Sequence, residues 1–218
     1  MNTLVIGASG GIGSALVQAL RARGDTVTAL SRAEDGFDIT DEDNIQTQLS
    51  RFDAPFDLVI VATGILAAEA GPEKTIRNLT AAEMQHLFAV NTIGPALVLK
   101  HLRPLLPRKT AAKVAVLSAR VGSIGDNTLG GWYSYRASKA ALNQVIKTAA
   151  IELARTHKHL TCVALHPGTV ATQFSSAYLC HKNVPPAKAA GNLLGVIDGL
   201  TPNDSGAFYD WAAKPVPW

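Results

Sequence analysis

The 218-residue chain has the composition of an ordinary globular protein, with 47% hydrophobic and 17% charged residues. These proportions exclude a disordered or coiled-coil chain, and the length fits a single domain, residues 1–218, with a full core. The formal net charge of +3 is mild, and Lys and Arg form no dense run, so we expect no nucleic-acid binding.

The cysteines and the first residues of the chain bear on its cellular compartment. Cys162 and Cys180 are the only cysteines and lack the spacing of a metal or redox site, which fits a reducing compartment. The chain opens directly with a predicted strand, which leaves no room for a signal peptide, and no apolar run reaches membrane-spanning length. We therefore expect a soluble cytoplasmic protein with no metal site and no membrane partner.

Residues 2–13, NTLVIGASGGIG, predict a strand, a glycine turn and the start of a helix. Such a turn leaves backbone N–H groups free at the positive end of a helix dipole, which favours a phosphate. The spacing Gly7-x-x-x-Gly11-x-Gly13 differs from the usual dinucleotide fingerprint, and Ser14 stands where a P-loop needs Lys. Taken alone, the glycine turn could equally be a structural turn with no ligand. Its place between a buried strand and a helix favours a nucleotide.

A second strand is predicted over residues 26–30, and it ends at Ser31 and Arg32. In dinucleotide folds an acidic residue near this point binds the adenosine ribose, whereas an Arg can accept the 2′-phosphate of NADP. No acid occurs here before Glu34. The pattern favours NADP over NAD, which stays open, and the competing interpretation is a solvated Arg in a surface loop.

Residues 36–40 are predicted to form a third strand or a stub of one. Only residues 33–36 separate this segment from Arg32, whereas a parallel crossover normally needs a dozen or more residues. One helix of a doubly wound pattern should therefore be missing between the second and third strands.

Strands and helices alternate through the remainder of the chain. Helices are expected over residues 41–52, 80–106, 133–157 and 187–200, and strands over residues 57–62, 113–117, 160–165 and 207–210. This alternation predicts a single-domain α/β fold with a doubly wound, mostly parallel sheet of the Rossmann kind.

Two polar features stand out on the predicted helices. Tyr135 and Lys139 are four residues apart, so the phenol and the ammonium lie one above the other on one face. A free tyrosine has a pKa of about 10, and a fixed cation close by lowers that pKa. Asn91 falls on the apolar stripe of the helix over residues 80–106, where a polar side chain needs hydrogen-bond partners. Each feature alone also has an ordinary structural explanation.

Taken together, these features resemble the short-chain dehydrogenase/reductase family over nearly the whole chain. The matching features are the glycine turn, Asn91, Ser118, Tyr135-x-x-x-Lys139 and Pro167-Gly168. The stretch from Gly122 to Tyr135 and the closing residues KPVPW are most similar to a branch of small carbonyl reductases, the C-factor-like and sniffer-like proteins.

The resemblance implies roles for particular residues. Tyr135 would be the proton donor or acceptor at the substrate oxygen, Lys139 would hold the nicotinamide ribose and lower the pKa of Tyr135, and Asn91 would anchor a water in a proton relay. Residues 172–188 would form a flexible segment that closes over the substrate. The implied cofactor-binding residues are Gly7, Ser9, Gly11, Ile12, Gly13, Ser31, Arg32, Asp38, Ile39, Ala62, Thr63, Gly64, Asn91, Tyr135, Lys139, Pro167, Gly168, Val170 and Thr172.

The sequence departs from the family pattern at three places. Ile6 replaces the usual Thr before the glycine turn, and the usual Asn-Asn-Ala-Gly is here residues 61–64, VATG. The catalytic serine is usually the second of a Ser-Ser pair, and here the pair is Ser118-Ala119. We expect Ser118 to assist catalysis, with Ser123 as the second candidate. The alternative is that both hydroxyls only cap local backbone.

The expected function is that of an NADP-dependent oxidoreductase acting on a small carbonyl or alcohol substrate, assembled as a homodimer or homotetramer as the family commonly is. The alternative is a non-catalytic dinucleotide-binding regulator or signalling protein on the same fold. A sugar epimerase or dehydratase is disfavoured because 218 residues leave no room for a second, substrate-binding domain. The sequence does not identify the substrate.

Overall fold

The computed structural model describes residues 1–68, 71–174 and 183–218. Its centre is one six-stranded sheet in which every pair of neighbouring strands is parallel, in the order β2-β1-β3-β4-β5-β6. The strands are β1 (Asn2–Ile6), β2 (Thr26–Leu30), β3 (Leu58–Val61), β4 (Ala112–Leu117), β5 (Leu160–His166) and β6 (Phe208–Asp210).

Helices cover both faces of the sheet. They are α1 (Gly11–Ala22), α2 (Arg32–Asp35), α3 (Glu42–Leu49), α4 (Ala81–Phe88), α5 (Gly94–Leu102), α6 (Tyr133–Leu153) and α7 (Pro186–Gly199), with a π-helical turn at Ala89–Ile93 and short 3₁₀ turns at Ile76–Asn78, Arg103–Leu105, Arg120–Gly122 and Pro202–Asp204. Side chains of α3, α5 and α6 form one core with the sheet, and those of α1 and α7 form the other. The predicted doubly wound Rossmann fold is therefore confirmed.

The strand sequences are apolar throughout because the sheet is buried on both faces. In β3 the side chains of Val59 and Val61 enter the core with α5 and α6, whereas those of Leu58 and Ile60 enter the core with α1 and α7. All four are almost fully buried. Since all strands are parallel, their carboxyl ends meet at one edge of the sheet, where doubly wound folds bind ligands.

The predicted strand at residues 36–40 is wrong, and the connection from β2 to the actual third strand, β3, contains the helices α2 and α3. Local groups already occupy the backbone donors of this segment: the N–H of Phe37 bonds to the carbonyl of Ser31, and that of Asp38 to the side chain of Asn44. The carboxylate of Asp38 accepts the N–H and the hydroxyl of Thr40. The segment is therefore folded into turns, and it pairs with none of the six strands in the described part of the chain.

The long helix expected over residues 80–106 is interrupted at the π-helical turn between α4 and α5. The N–H of Gly94 bonds to the carbonyl of Ala89, five residues earlier. A Cβ atom on Gly94 would lie 2.5 Å from the carbonyl oxygen of Ile39, so only glycine allows the helix to approach residues 36–40 this closely. Pro95 follows and has no N–H to donate to the carbonyl of Asn91, four residues before it.

None of the helices in the described part of the chain combines the length and the apolarity that crossing a lipid bilayer requires.

Candidate active site

A cavity of about 480 Å³ lies at the carboxyl edge of the sheet. It runs from the glycine turn after β1, past the ends of β3, β4 and β5, to the first turns of α6. Its lining includes Gly10, Gly11, Ile12, Ala62, Thr63, Gly64, Ser118, Ala119, Tyr135, Lys139, His166, Pro167, Gly168, Val170 and Thr172. The structure therefore brings the predicted glycine turn and the Tyr–Lys pair into one cavity.

The glycine turn has the shape that a dinucleotide phosphate needs. Gly7 has a φ of +88°, and a Cβ atom on Gly13 would run into the carbonyl oxygen of Gly7. No side chain caps the start of α1, and the first-turn N–H groups of a helix have no partner within the helix. Ser9, Gly10 and Gly11 are exposed beside these groups. The turn is thus a cradle for a phosphate at a helix N-terminus.

The far side of this cradle is formed by the end of β2. The N–H groups of Gly7 and Ala8 both bond to the carbonyl of Leu30, which fixes the turn against the strand. Ser31 is buried and its hydroxyl caps α2, so this serine has a structural contact of its own. Arg32 is exposed, and no salt bridge of its guanidinium is formed within the described residues. It is therefore available to an anionic ligand.

Further residues around the cradle fit a bound dinucleotide. The hydroxyl of Thr63 is buried and has no hydrogen-bond partner in the described part of the chain, which leaves it free for a ligand atom. A Cβ atom on Gly11 would lie 2.6 Å from Cγ2 of Thr172, so the segment after β5 closes against the glycine turn. These residues would hold the pyrophosphate, ribose and nicotinamide of the cofactor that the fold implies.

Tyr135 and Lys139 lie one turn apart in α6, and both are nearly fully buried. The ammonium of Lys139 donates a hydrogen bond of 3.0 Å to the carbonyl of Leu117 at the end of β4. Burial lowers the pKa of Lys139 to about 8 and raises the pKa of Tyr135 well above its usual value. In the protein alone the tyrosine is thus held in its protonated form.

Asn91 lies in the π-helical turn and is fully buried. Its Oδ1 accepts the N–H of Ile65, and its Nδ2 donates to the carbonyl of Ile65 and to the hydroxyl of Ser138. A Cβ atom on Gly64 would lie 3.3 Å from Oδ1 of Asn91 and 3.4 Å from Nζ of Lys139. The asparagine therefore fixes the loop after β3 against α6, next to the lysine.

The two candidate serines are both engaged with the protein. Ser118 donates its hydroxyl proton to Oδ1 of Asn143, which lies on α6 two turns beyond Tyr135, at a distance of 2.6 Å. The hydroxyl of Ser123 accepts the N–H of Asp126 and caps the loop. Ala119 packs against the ring of Tyr135. The proton of Ser118 is therefore bound to Asn143, whereas Ser123 keeps its own proton but is not among the residues that line the cavity.

A buried glutamate in the loop before α4 is a feature that the sequence analysis missed. Its carboxyl oxygens accept the hydroxyl and the N–H of Ser134, and its carbonyl accepts the N–H of Trp132. Glu73 thereby caps the N-terminus of α6, which no side chain of the N-cap residue does. A capping side chain directly before a helix, or in its first turn, can be recognised from the sequence, but Glu73 lies 61 residues before Ser134.

His166 is a second residue that the sequence analysis did not assign. It is the last residue of β5, lines the cavity and precedes Pro167-Gly168. Of the segment expected to close over the substrate, residues 175–182 lie outside the described residues. No group of His, Cys, Asp and Glu suitable for a metal ion occurs among the residues that the structure describes.

Comparisons with known proteins identify the family of the chain. The family model for short chain dehydrogenases matches residues 36–182. The 1-hydroxy-2-glutathionyl-2-methyl-3-butene dehydrogenase of Rhodococcus sp. (strain AD45) is 34% identical over 231 residues, covering 99% of this chain and 98% of that protein. C-signal of Myxococcus xanthus is 35% identical over 164 residues, covering 75% of this chain and 93% of that protein.

A solved structure shares the whole fold. NADPH-bound carbonyl reductase from chicken fatty liver has a TM-score of 0.85 and 28% identity, and the match covers 100% of this chain and 98% of that one. The chain therefore belongs to the short-chain dehydrogenase family, as the sequence predicts, and is similar to its carbonyl reductase and C-signal members. It is an NAD(P)-dependent oxidoreductase.

Proposed function

We propose that the protein is a single-domain, NADPH-dependent reductase of small apolar carbonyl compounds, with Tyr135 as the proton donor. The observation that carries this proposal is the position of Tyr135 and Lys139 in one cavity with the glycine turn. A ligand that lies along this cavity reaches from the phosphate cradle to the phenol.

The chemistry divides between cofactor and protein. The bound reduced nicotinamide supplies the hydride that adds to the carbonyl carbon. Tyr135 gives its proton to the carbonyl oxygen. Burial raises the pKa of the phenol, which keeps it protonated but makes it a weaker acid, so the step depends on a neighbouring positive charge that stabilises the phenolate. Lys139 brings a positive charge next to the developing phenolate and offers N–H donors to the cofactor ribose.

The path for the replacement proton begins at Asn91. Pro95 cannot donate to the carbonyl of Asn91, so the π-helical turn leaves this oxygen without its α-helical partner. An ordered water on this carbonyl would lie in the same buried region as Lys139. This water would pass a proton toward the lysine and the tyrosine after each turnover.

The side chains around Tyr135 favour an apolar substrate. Leu66 and Ala119 pack with the tyrosine, and Leu129, Trp132 and Phe174 line the same cavity. The rings of Trp132 and Phe174 lie 6.2 Å and 6.1 Å from that of Tyr135. The relative from Rhodococcus is named for an alcohol that carries a glutathionyl group, which is polar and charged, so the expectation of an apolar substrate rests on the lining residues.

The proposal is tested by following NADPH oxidation with menadione, benzil and benzaldehyde, each against a reaction without protein. The expected result is turnover of at least one of these compounds. The alternative function, a dinucleotide-binding regulator, is supported by Ala119 in place of the usual serine. NADPH binding without turnover of any compound would favour this regulator and contradict the reductase.

Arg32 is expected to make the protein prefer NADPH to NADH. It follows the end of β2 by two residues, is exposed, and carries a charge that only the 2′-phosphate of NADPH can use. We expect Arg32→Ala to weaken NADPH binding about tenfold, the size of one charge-assisted contact, and to leave NADH binding unchanged. Fluorescence titration of both cofactors measures this.

Arg51→Ala is the matched control for this prediction, because Arg51 is exposed and lies after α3. It should change neither affinity. Equal binding of NADPH and NADH by the wild-type protein would contradict the role of Arg32.

We further propose a cytoplasmic homodimer. Ile93 in the π-helical turn and Ile151 on α6 are 51% and 56% exposed, and a second copy packed on these helices would cover them. Cys162 is free and buried, which suits a reducing compartment. Light scattering of the purified protein distinguishes the dimer from a monomer or a tetramer, and Ile151→Glu should shift a dimer to monomers.

A further inference from the structure

Beside Tyr135, where the family pattern has a serine hydroxyl, this cavity has Ala119. Negative charge develops on the substrate oxygen, and a fixed donor near Tyr135 would stabilise it. Ala119, which packs on the tyrosine ring, has nothing to donate. The proton of Ser118 is bound to Asn143, and Ser123 is not among the residues that line the cavity. The donor must therefore come from another residue that lines the cavity.

His166 lies beside this position. The N–H of Ser118 donates to the carbonyl of Leu165, so His166 is the next residue along β5 and the lateral neighbour of Ser118. Side chains alternate along a strand, and Ala164 enters the core formed with α6. His166, two residues on, thus faces the same side of the sheet as the helix that carries Tyr135.

The ring of His166 is half-buried and lines the cavity. Its Nδ1 atom is shielded from solvent and forms no hydrogen bond within residues 1–68, 71–174 and 183–218. Burial lowers the pKa of His166 to about 4, although Asp210 on the neighbouring strand opposes this shift. A neutral imidazole keeps one N–H donor. Because no bond in the described chain selects the tautomer, the proton can occupy the nitrogen that meets a ligand.

We propose that the imidazole of His166 donates a hydrogen bond to the substrate oxygen, in place of the serine hydroxyl that Ala119 cannot supply. The oxygen would then receive the proton of Tyr135 on one side and the hydrogen bond of His166 on the other. The inference rests on the proposed carbonyl reductase function, and it adds a residue for which the family motif gives no catalytic role.

A contact with the cofactor is the competing assignment. His166 directly precedes Pro167 and Gly168, which are predicted to hold the nicotinamide carboxamide. A donor to the cofactor would change the affinity for NADPH, whereas a donor to the developing oxyanion changes kcat and leaves that affinity intact. The two assignments are therefore separated by measuring both quantities on one set of variants.

The test compares wild type, His166→Phe, His166→Gln and Tyr135→Phe in NADPH-dependent reduction of benzil, with menadione and benzaldehyde as further probes. We expect His166→Phe to lower kcat roughly 10²-fold, as removal of one oxyanion donor does, with the Kd for NADPH changed less than twofold. His166→Gln, which keeps an N–H donor, should recover about a tenth or more of the wild-type kcat.

His159→Phe is the matched control, because it is exposed and precedes the opposite end of β5. It should retain wild-type kcat. The inference would be overturned if His166→Phe keeps wild-type kcat, or if its loss of kcat comes with an equal rise in its Kd for NADPH. It would also be overturned if the 10²-fold loss of kcat is found in Ser118→Ala instead. If one of these results is found and Tyr135→Phe is inactive, only the role of His166 is overturned and the proposed reductase function stands. A wild-type protein that turns over none of the probes would overturn both proposals.

Discussion

Replacement of Tyr135 by Phe is expected to lower kcat about 10³-fold, because proton transfer by a positioned side chain contributes 10²- to 10⁴-fold. The ring keeps its packing against Leu66, Leu87 and Ala119, and only the hydroxyl is lost. The affinity for NADPH should therefore stay within about twofold of the wild-type value. Steady-state kinetics and cofactor titration on the same preparation measure both quantities.

Tyr133→Phe provides the control for this experiment. Tyr133 begins α6, two residues before Tyr135, and is only partly buried. Loss of its hydroxyl should leave kcat unchanged. If Tyr135→Phe keeps more than about a tenth of kcat, a difference of only 1.4 kcal/mol in the activation barrier, Tyr135 is not the proton donor.

Replacement of Lys139 by Met is expected to make the protein more stable and nearly inactive. Burial lowers the pKa of Lys139 from 10.5 to about 8. At neutral pH, burying the charged ammonium therefore lowers the free energy of unfolding by roughly 3 kcal/mol. The lost hydrogen bond to Leu117 costs about 1 kcal/mol. The free energy of unfolding of the cofactor-free protein should therefore rise by about 2 kcal/mol.

The pH dependence of this difference has a defined sign. Below pH 8 the ammonium is charged in both states, and the full destabilisation is present. Between pH 8 and 10.5 the folded state releases its proton first, so the wild-type protein gains stability relative to Lys139→Met as pH rises. Denaturant unfolding at pH 7 and pH 10 should show the gap between the two proteins narrowing.

The kinetic half of this prediction follows from the lost charge. Without the ammonium, the phenolate that forms on Tyr135 has no adjacent cation, and kcat/KM should fall about 10²-fold or more. Lys147→Met, two turns further along α6, should leave turnover at the wild-type level. A variant that is less stable than wild type, or that retains its activity, would contradict the assignment of Lys139.

The parts of the site that follow from local pattern could be predicted from the sequence. A glycine turn between an apolar strand and a helix, and a Tyr–Lys pair at helical spacing, each need only a few neighbouring residues to be recognised. Alternating strands and helices then place the ends of all parallel strands at one edge of the sheet. These rules were enough to predict the fold, and the structure then brings Gly11 and Tyr135 into one cavity.

The rest depended on contacts between distant residues. Residues 36–40 have the β-rich pattern of a strand, but Asn44 and Ser31 take up the donors of this segment. Ser118 has the spacing of a catalytic residue, and only the fold shows that its proton is bound to Asn143. The sequence likewise cannot show that Nδ1 of His166 lacks a hydrogen-bond partner among the described residues, because this depends on which residues the fold brings near it.

The π-helical turn at Ala89–Ile93 makes the chain sensitive to a change in length at this place. A π-helical turn holds one residue more than the α-helical hydrogen bonds require, so deletion of one residue would leave a continuous α-helix. In that shorter helix one half would be rotated by about 100° from its present orientation relative to the other, so the apolar sides of the two halves would no longer be aligned as they are now. Natural homologues should therefore tolerate substitutions here far better than single-residue deletions, and a deletion that survives should accompany loss of the oxidoreductase activity.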